Sequence, residues 1–168
     1  MKKKIVITGA LGYLGAELCK LYSGESRYHK IIAIDDRFVS EIVNQLRNWN
    51  IEFFQVEILN KSSLQVHLED ADVVYHLAGI TDVPNVKKES SQELDDEIKK
   101  VAIEGTNNIL ETIPGYCKII FPSTHVIFEG FKKTKKNIDE KETPCPILVY
   151  STSKVKNELD IKKSKKNY

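Results

Sequence analysis

Short apolar stretches recur along the chain at KIVIT (4–8), KIIAID (30–35), IEFFQV (51–56), DVVYHL (72–77) and KIIFPS (118–123). They are continuous rather than alternating, the pattern of strands covered on both faces in a parallel sheet. Between them the apolar positions take helical spacing. Leu14, Leu18 and Leu21 stand at i, i+4 and i+7, and Ile42, Val43, Leu46 and Trp49 share one face. Ser62 is placed to cap a short helix over SLQVHLED. After a long loop, Leu94, Ile98, Val101, Ala102, Ile109 and Ile113 mark the buried stripe of a longer helix. Strand, helix, strand repeated in this way predicts an α/β fold, a doubly wound parallel sheet of Rossmann type with about five strands.

From Glu129 to Val149 the pattern lapses into a polar, irregular loop with a Lys cluster at 132–136 and with Pro144 and Pro146 shaping the turn before a last helix over 150–165. No repeat or linker divides the 168 residues, which read as a single domain. The formal net charge of +1 supplies no field that would gather nucleic acid or an anionic membrane. No apolar run approaches the roughly 20 residues of a membrane span, and the basic start MKKKIVITG is broken by Thr8 and Gly9 before it makes a signal peptide. Cys19, Cys117 and Cys145 are odd in number and far apart, and His29, His67, His76 and His125 are scattered without ligand spacing. Free thiols, no metal and a cytoplasmic protein are the expectation.

The most specific stretch is VITGALGYLGAEL, where Gly9, Gly12 and Gly15 fall between the first strand and the first helix. Glycines there permit a tight turn and close approach of backbone to a ligand, and the helix start offers free N–H groups to a pyrophosphate. Asp35 ends the second strand, where a carboxylate accepts hydrogen bonds from the adenosine ribose. The same charge repels a 2′-phosphate, which favours NAD, while Arg37 leaves NADP open. The expected cofactor stretch therefore takes in Gly9, Leu11, Gly12, Tyr13, Leu14 and Gly15, then Asp35, Asp36 and Arg37.

Tyr150 and Lys154 stand at i, i+4 on the last helix, within mutual reach. A neighbouring ammonium favours the phenolate and lowers the Tyr pKa, making Tyr150 a candidate general acid/base. Thr124 lies past the fifth strand, at the carboxyl-end crevice where such sheets bind ligands, and its hydroxyl is placed for a substrate oxygen. His125 reads as a loop residue beside it.

The spacing in TGALGYLG (8–15) resembles the extended short-chain dehydrogenase/reductases, the nucleotide-sugar epimerases, dehydratases and reductases. HLAG (76–79) is similar to the family's turn beyond the fourth strand, which implies that Leu77, Ala78 and Gly79 line the cofactor. Glu57 and Ile58 stand where the family contacts adenine, and GTNNIL (105–110) resembles part of its long helix. STHVIFEG (123–130) is similar to the deoxysugar reductase branch, with Thr124 at the catalytic hydroxyl position. The resemblance implies that NAD exchanges hydride with a sugar carbon, that Tyr150 moves the proton, and that Lys154 also holds the nicotinamide ribose.

Two departures change that picture. Ala102 stands where the family usually carries Asn, and the 168 residues hold neither the sixth strand nor the carboxyl-terminal substrate domain that the resemblance implies. The expectation is thus the amino-terminal, NAD-binding part of such an enzyme, in truncated form, with an exposed edge on the fifth strand that invites a homo-oligomer or a complementing partner chain. The alternatives are a non-catalytic dinucleotide-binding or assembly module and a steroid- or flavonoid-type reductase.

Overall fold

The computed structural model describes residues 2–81, 91–133 and 135–168. Five strands, β1 (Lys4–Thr8), β2 (Lys30–Asp35), β3 (Glu52–Gln55), β4 (Val73–His76) and β5 (Lys118–Ile120), form one parallel sheet in the order β3-β2-β1-β4-β5. The order reverses at β1, between β2 and β4, which opens a crevice beyond the carboxyl ends of those strands. Helices α1 (Tyr13–Tyr22), α2 (Ser40–Asn48), α3 (Lys61–Leu68), α4 (Gln92–Thr112) and α5 (Val149–Lys163) pack around the sheet. The long loop expected after β4 falls on 82–90, outside the described residues.

Side chains alternate across each strand, so β1 and β2 feed two cores. Val6, Ile32 and Ile34 join Leu64, Leu68, Ile109 and Ile161 on one face. Ile5, Ile7, Ile31 and Ala33 join Cys19, Val43, Leu46 and Ile51 on the other. Every residue of β1 is buried, as a strand paired on both sides requires, whereas edge strand β3 buries none of its four residues fully. Trp49 packs, half-buried, against the second core. The three cysteines are free, Cys19 and Cys117 buried and Cys145 half-buried.

Three sequence expectations are corrected. Leu14 and Leu21 do not face the core of α1; they are 55% and 77% exposed, and the buried face carries Gly15 and Cys19. Gly15 decides this, because a Cβ there would fall 2.2 Å from the Gly9 carbonyl oxygen, so the face without a side chain turns inward. Helix α3 is capped by Asn60, whose side chain accepts the Ser63 N–H, rather than by Ser62 inside the first turn. The edge of β5 is not wholly bare. Lys165 takes φ 56, ending α5, and the Ile119 N–H donates to the Asn167 carbonyl at 2.8 Å, which lays the last residues parallel to β5.

Candidate active site

A cavity of about 670 Å³ opens at the switch in strand order. One wall is the glycine turn. Gly9 has φ +67, in the left-handed region that glycine enters freely, and any Cβ would stand 2.7 Å from the Ala78 amide. Gly9, Gly12, Tyr13, Leu14 and Gly15 all line the cavity, while Leu11 is buried behind it. The Leu11 N–H is committed to Asp35 Oδ2 at 2.9 Å, so it serves the acid rather than a phosphate.

Asp35 ends β2 at 4% exposure and also receives the N–H and Nε of Arg37 on Oδ1, both at 3.1 Å. Burial alone would raise its pKa, but the bonds from Arg37 and Leu11 hold the carboxyl below the usual range. Asp36 is pushed up by burial and by that neighbouring carboxylate. Glu57 and Ile58 line the same end of the cavity, joined by Val56 and Leu59, which the sequence reading passed over.

The far wall rests on a buried polar chain. Thr8 Oγ1 accepts the Ala78 N–H at 3.2 Å and meets His76 Nδ1 at 3.2 Å, and His76 Nε2 meets Thr106 Oγ1 at 2.9 Å. A neutral imidazole satisfies both hydroxyls, one nitrogen donating and the other accepting. Helix α4 holds the loop before α3 as well. Gly105 leaves room for Ile58, and Asn108 Nδ2 donates to the carbonyls of Ile58 and Leu59 at 3.1 Å. Thr8, Thr106 and Asn108 all lie inside the motifs TGALGYLG and GTNNIL, but their roles are not visible there, because a hydroxyl or amide shows its partner only once the fold is known.

Burial drives the His76 pKa down to about 3, with the Lys154 charge adding to it. The ordinary value is about 6.5, so below that pH the unfolded chain takes up a proton that the native chain refuses. Stability is therefore full above about pH 6.5 and falls as pH drops toward the native value, the unfolding constant rising about tenfold per pH unit from this group. Between neutral pH and pH 5 the wild type is expected to lose about 2 kcal/mol more stability in urea melts than His76→Gln. Equal loss would mean that the ring is not buried neutral.

At the other end, Tyr150 and Lys154 of α5 line the cavity with Pro122 and Ser123. Thr124 is not among the lining residues and meets the site through the Tyr150 hydroxyl, whose pKa its own nearby hydroxyl acts to lower. Its own Oγ1 accepts the Val126 N–H at 3.2 Å, capping a short 3-10 turn over His125–Phe128. His125 is exposed in that turn. Leu77, Ala78 and Gly79 complete the wall between the two ends, with Ile80, Thr81, Glu97 and Val101 beyond what the sequence suggested.

The expected effect of Lys154 on Tyr150 is corrected. The phenol is half-buried and its pKa is raised by that burial, which the Thr124 hydrogen bond only partly offsets. Lys154 Nζ instead donates to the Pro122 carbonyl at 3.0 Å and lies 4.4 Å from the Phe121 ring centre, against 5.8 Å for the Tyr150 ring. Burial lowers its own pKa to about 8, with Glu158 opposing. No cluster among the described residues has the makings of a metal site, and no helix of theirs is long and apolar enough to cross a membrane.

A glycine turn facing a strand-end acid at the switch point of a parallel sheet defines a dinucleotide-type domain. The profile of the 3-beta hydroxysteroid dehydrogenase/isomerase family matches residues 6–167, and the chain belongs to that family. This bears out the resemblance to the extended short-chain dehydrogenase/reductases. The chain is 29% identical over 143 residues to a UDP-N-acetyl-alpha-D-glucosaminuronate decarboxylase of Bacillus cytotoxicus, covering 76% of this chain and 38% of that one. It is 28% identical over 169 residues to a dTDP-D-glucose 4,6-dehydratase of Dictyostelium discoideum, covering 90% and 38%. A UDP-glucuronic acid 4-epimerase of Bacillus cereus, solved with UDP-glucuronic acid and NAD, matches at TM-score 0.78 and 26% identity over 96% of this chain and 52% of that one. The chain thus spans about half or less of the length of these relatives.

Proposed function

We propose that the chain is the NAD-binding part of a nucleotide-sugar epimerase, dehydratase or reductase. The observation that carries this reading is the one continuous cavity that runs from the glycine turn and Asp35 to Tyr150 and Lys154. The residues present fit a dinucleotide. Gly9, Gly12 and Gly15 line the cavity where a pyrophosphate would approach, in a turn whose close packing on itself and on Ala78 admits no side chain at Gly9 or Gly15, and the Asp35 carboxylate is ionised where a ribose would lie. Arg37 is already engaged with Asp35, which leaves the charge here suited to a diol rather than to a phosphate.

In this reading, bound NAD supplies the acceptor and donor of a hydride. Tyr150 exchanges the proton of the sugar hydroxyl at the same carbon, and Thr124 orients the phenol. Lys154, whose ammonium is turned to the Pro122 carbonyl at the cavity wall, holds the nicotinamide ribose. A second reading, a dinucleotide-binding module without turnover, is favoured by Ala102 and by a phenol whose pKa burial holds up.

Calorimetric titration of the chain with NADH and with NADPH tests the first claim. Tighter binding of NADH is expected. Absence of heat with NADH, or a preference for NADPH, would remove the reading.

A further inference from the structure

We propose that Glu129 is a positioning residue that sets the Tyr150 phenol against Thr124. The idea rests on the reading of those two hydroxyls as the reacting pair. Thr124 and Tyr150 are separated along the chain by the whole irregular loop, and α5 has no cap of its own, because the residue at its amino-terminal boundary is Leu148. Glu129 closes that gap. Its Oε1 accepts the Ile147 N–H at 2.9 Å, the Leu148 N–H at 2.7 Å and the Ser151 hydroxyl at 2.5 Å.

The other end of the same short block is Thr124. Its hydroxyl caps the 3-10 turn at the front, and the Glu129 N–H donates to the Val126 carbonyl at 3.1 Å at the back. Thr124 and Glu129 are therefore the two ends of one rigid turn, and the carboxylate fastens that turn to the residues on either side of Tyr150. Two backbone bonds between the strands of the loop, Gly130 N–H to the Cys145 carbonyl and Cys145 N–H to the Ile127 carbonyl, both 2.8 Å, hold the base of the same junction. The bonds from Leu148, Ser151 and Ile147 keep the Glu129 carboxyl below its ordinary pKa although burial opposes them. An anion at this place also meets the positive end of the α5 dipole.

A cap that merely stabilised α5 would be replaceable by any group that restores stability. A positioning role requires the acceptor oxygen itself, at its present reach, because small displacements at a reacting centre cost catalysis steeply. The 168-residue chain with ¹³C-labelled tyrosine rings reads this directly, through the cross-peak between the Tyr150 ring, identified by its loss in Y150F, and the Thr124 side chain. E129A is expected to weaken that cross-peak at least about threefold while leaving NADH affinity within about twofold. E129Q, which keeps the acceptor oxygen and loses the charge, is expected to restore it.

Survival of the cross-peak in E129A overturns the proposal. So does failure of E129Q alongside E129A, which would assign the effect to charge at the helix start. If E129A does not fold, E129D decides, since it keeps the charge and retracts the oxygen; a cross-peak equal to the wild type then overturns the proposal. A wild-type chain that fails to bind NADH would remove the proposed function and leave the contact between Thr124 and Tyr150, and its dependence on Glu129, still measurable.

Discussion

Tyr150→Phe is expected to lower sugar-dependent NADH formation by about 10²- to 10⁴-fold, the contribution of a positioned general acid/base, and to leave NADH affinity within about twofold. The substitution removes one hydroxyl and keeps the ring that lies beside Lys154 and lines the cavity. What is lost is the hydroxyl that faces Thr124. The assay is hydride exchange with a UDP-sugar, followed by absorbance, beside a calorimetric titration of the same preparation. Equal turnover in the variant would exclude Tyr150 as the proton-transfer group. A parallel loss of NADH affinity would make it a cofactor-binding residue instead, and a chain with nucleotide response but no turnover in either form would favour the module reading.

Asp35→Ala is expected to weaken NADH binding by about ten- to a hundredfold, the loss of hydrogen bonds to a charged acceptor. It also strands the Leu11 N–H, which donates to Asp35 in the buried wall of the turn. An unsatisfied buried donor costs about 1–3 kcal/mol of stability. Asp35→Asn separates the two effects. The amide oxygen still accepts from Leu11, so stability is expected to recover in a urea melt, while the lost negative charge leaves NADH weak and its margin over NADPH narrowed. NADH affinity unchanged in both variants would rule out Asp35 as the ribose acceptor.

Much of this arrangement is legible along the chain, and the reason is physical. Strands β1 and β2 are covered on both faces, so their apolar runs are continuous and their limits coincide with the hydrophobic limits at Lys4–Thr8 and Lys30–Asp35. Edge strand β3 and short β5 are less constrained, and each comes out shorter than its apolar stretch. The glycine turn announces itself because close backbone approach admits few other residues.

What stayed hidden are choices made between distant segments. The face of α1 is set by the approach of Gly15 to Gly9, a contact that outweighs Leu14 and Leu21 while Leu18 still packs on the core. The direction of the Lys154 ammonium is set by the Pro122 carbonyl, from another element, so i, i+4 spacing to Tyr150 did not determine whose charge it compensates. Glu129 looked like the first residue of a solvated loop. Nothing local distinguishes it from Glu140 or Glu142, and its value comes from helix α5 arriving above it.

The central place of β1 bears on how the chain is made. Ile5 pairs with Ile31 on one side and with Val73 on the other. A chain emerging from the ribosome can close the first pairing early, since the loop to be ordered is short, whereas the second must wait for more than twice as much polypeptide. The glycine turn therefore exists for a time with only one of its walls, and Ala78, whose amide anchors to Thr8, arrives with the later strand. Retention of a nascent chain on immobilised dinucleotide would accordingly begin only after β4 has left the exit tunnel, and binding would mark the docking of β4 while β5 is still to be added.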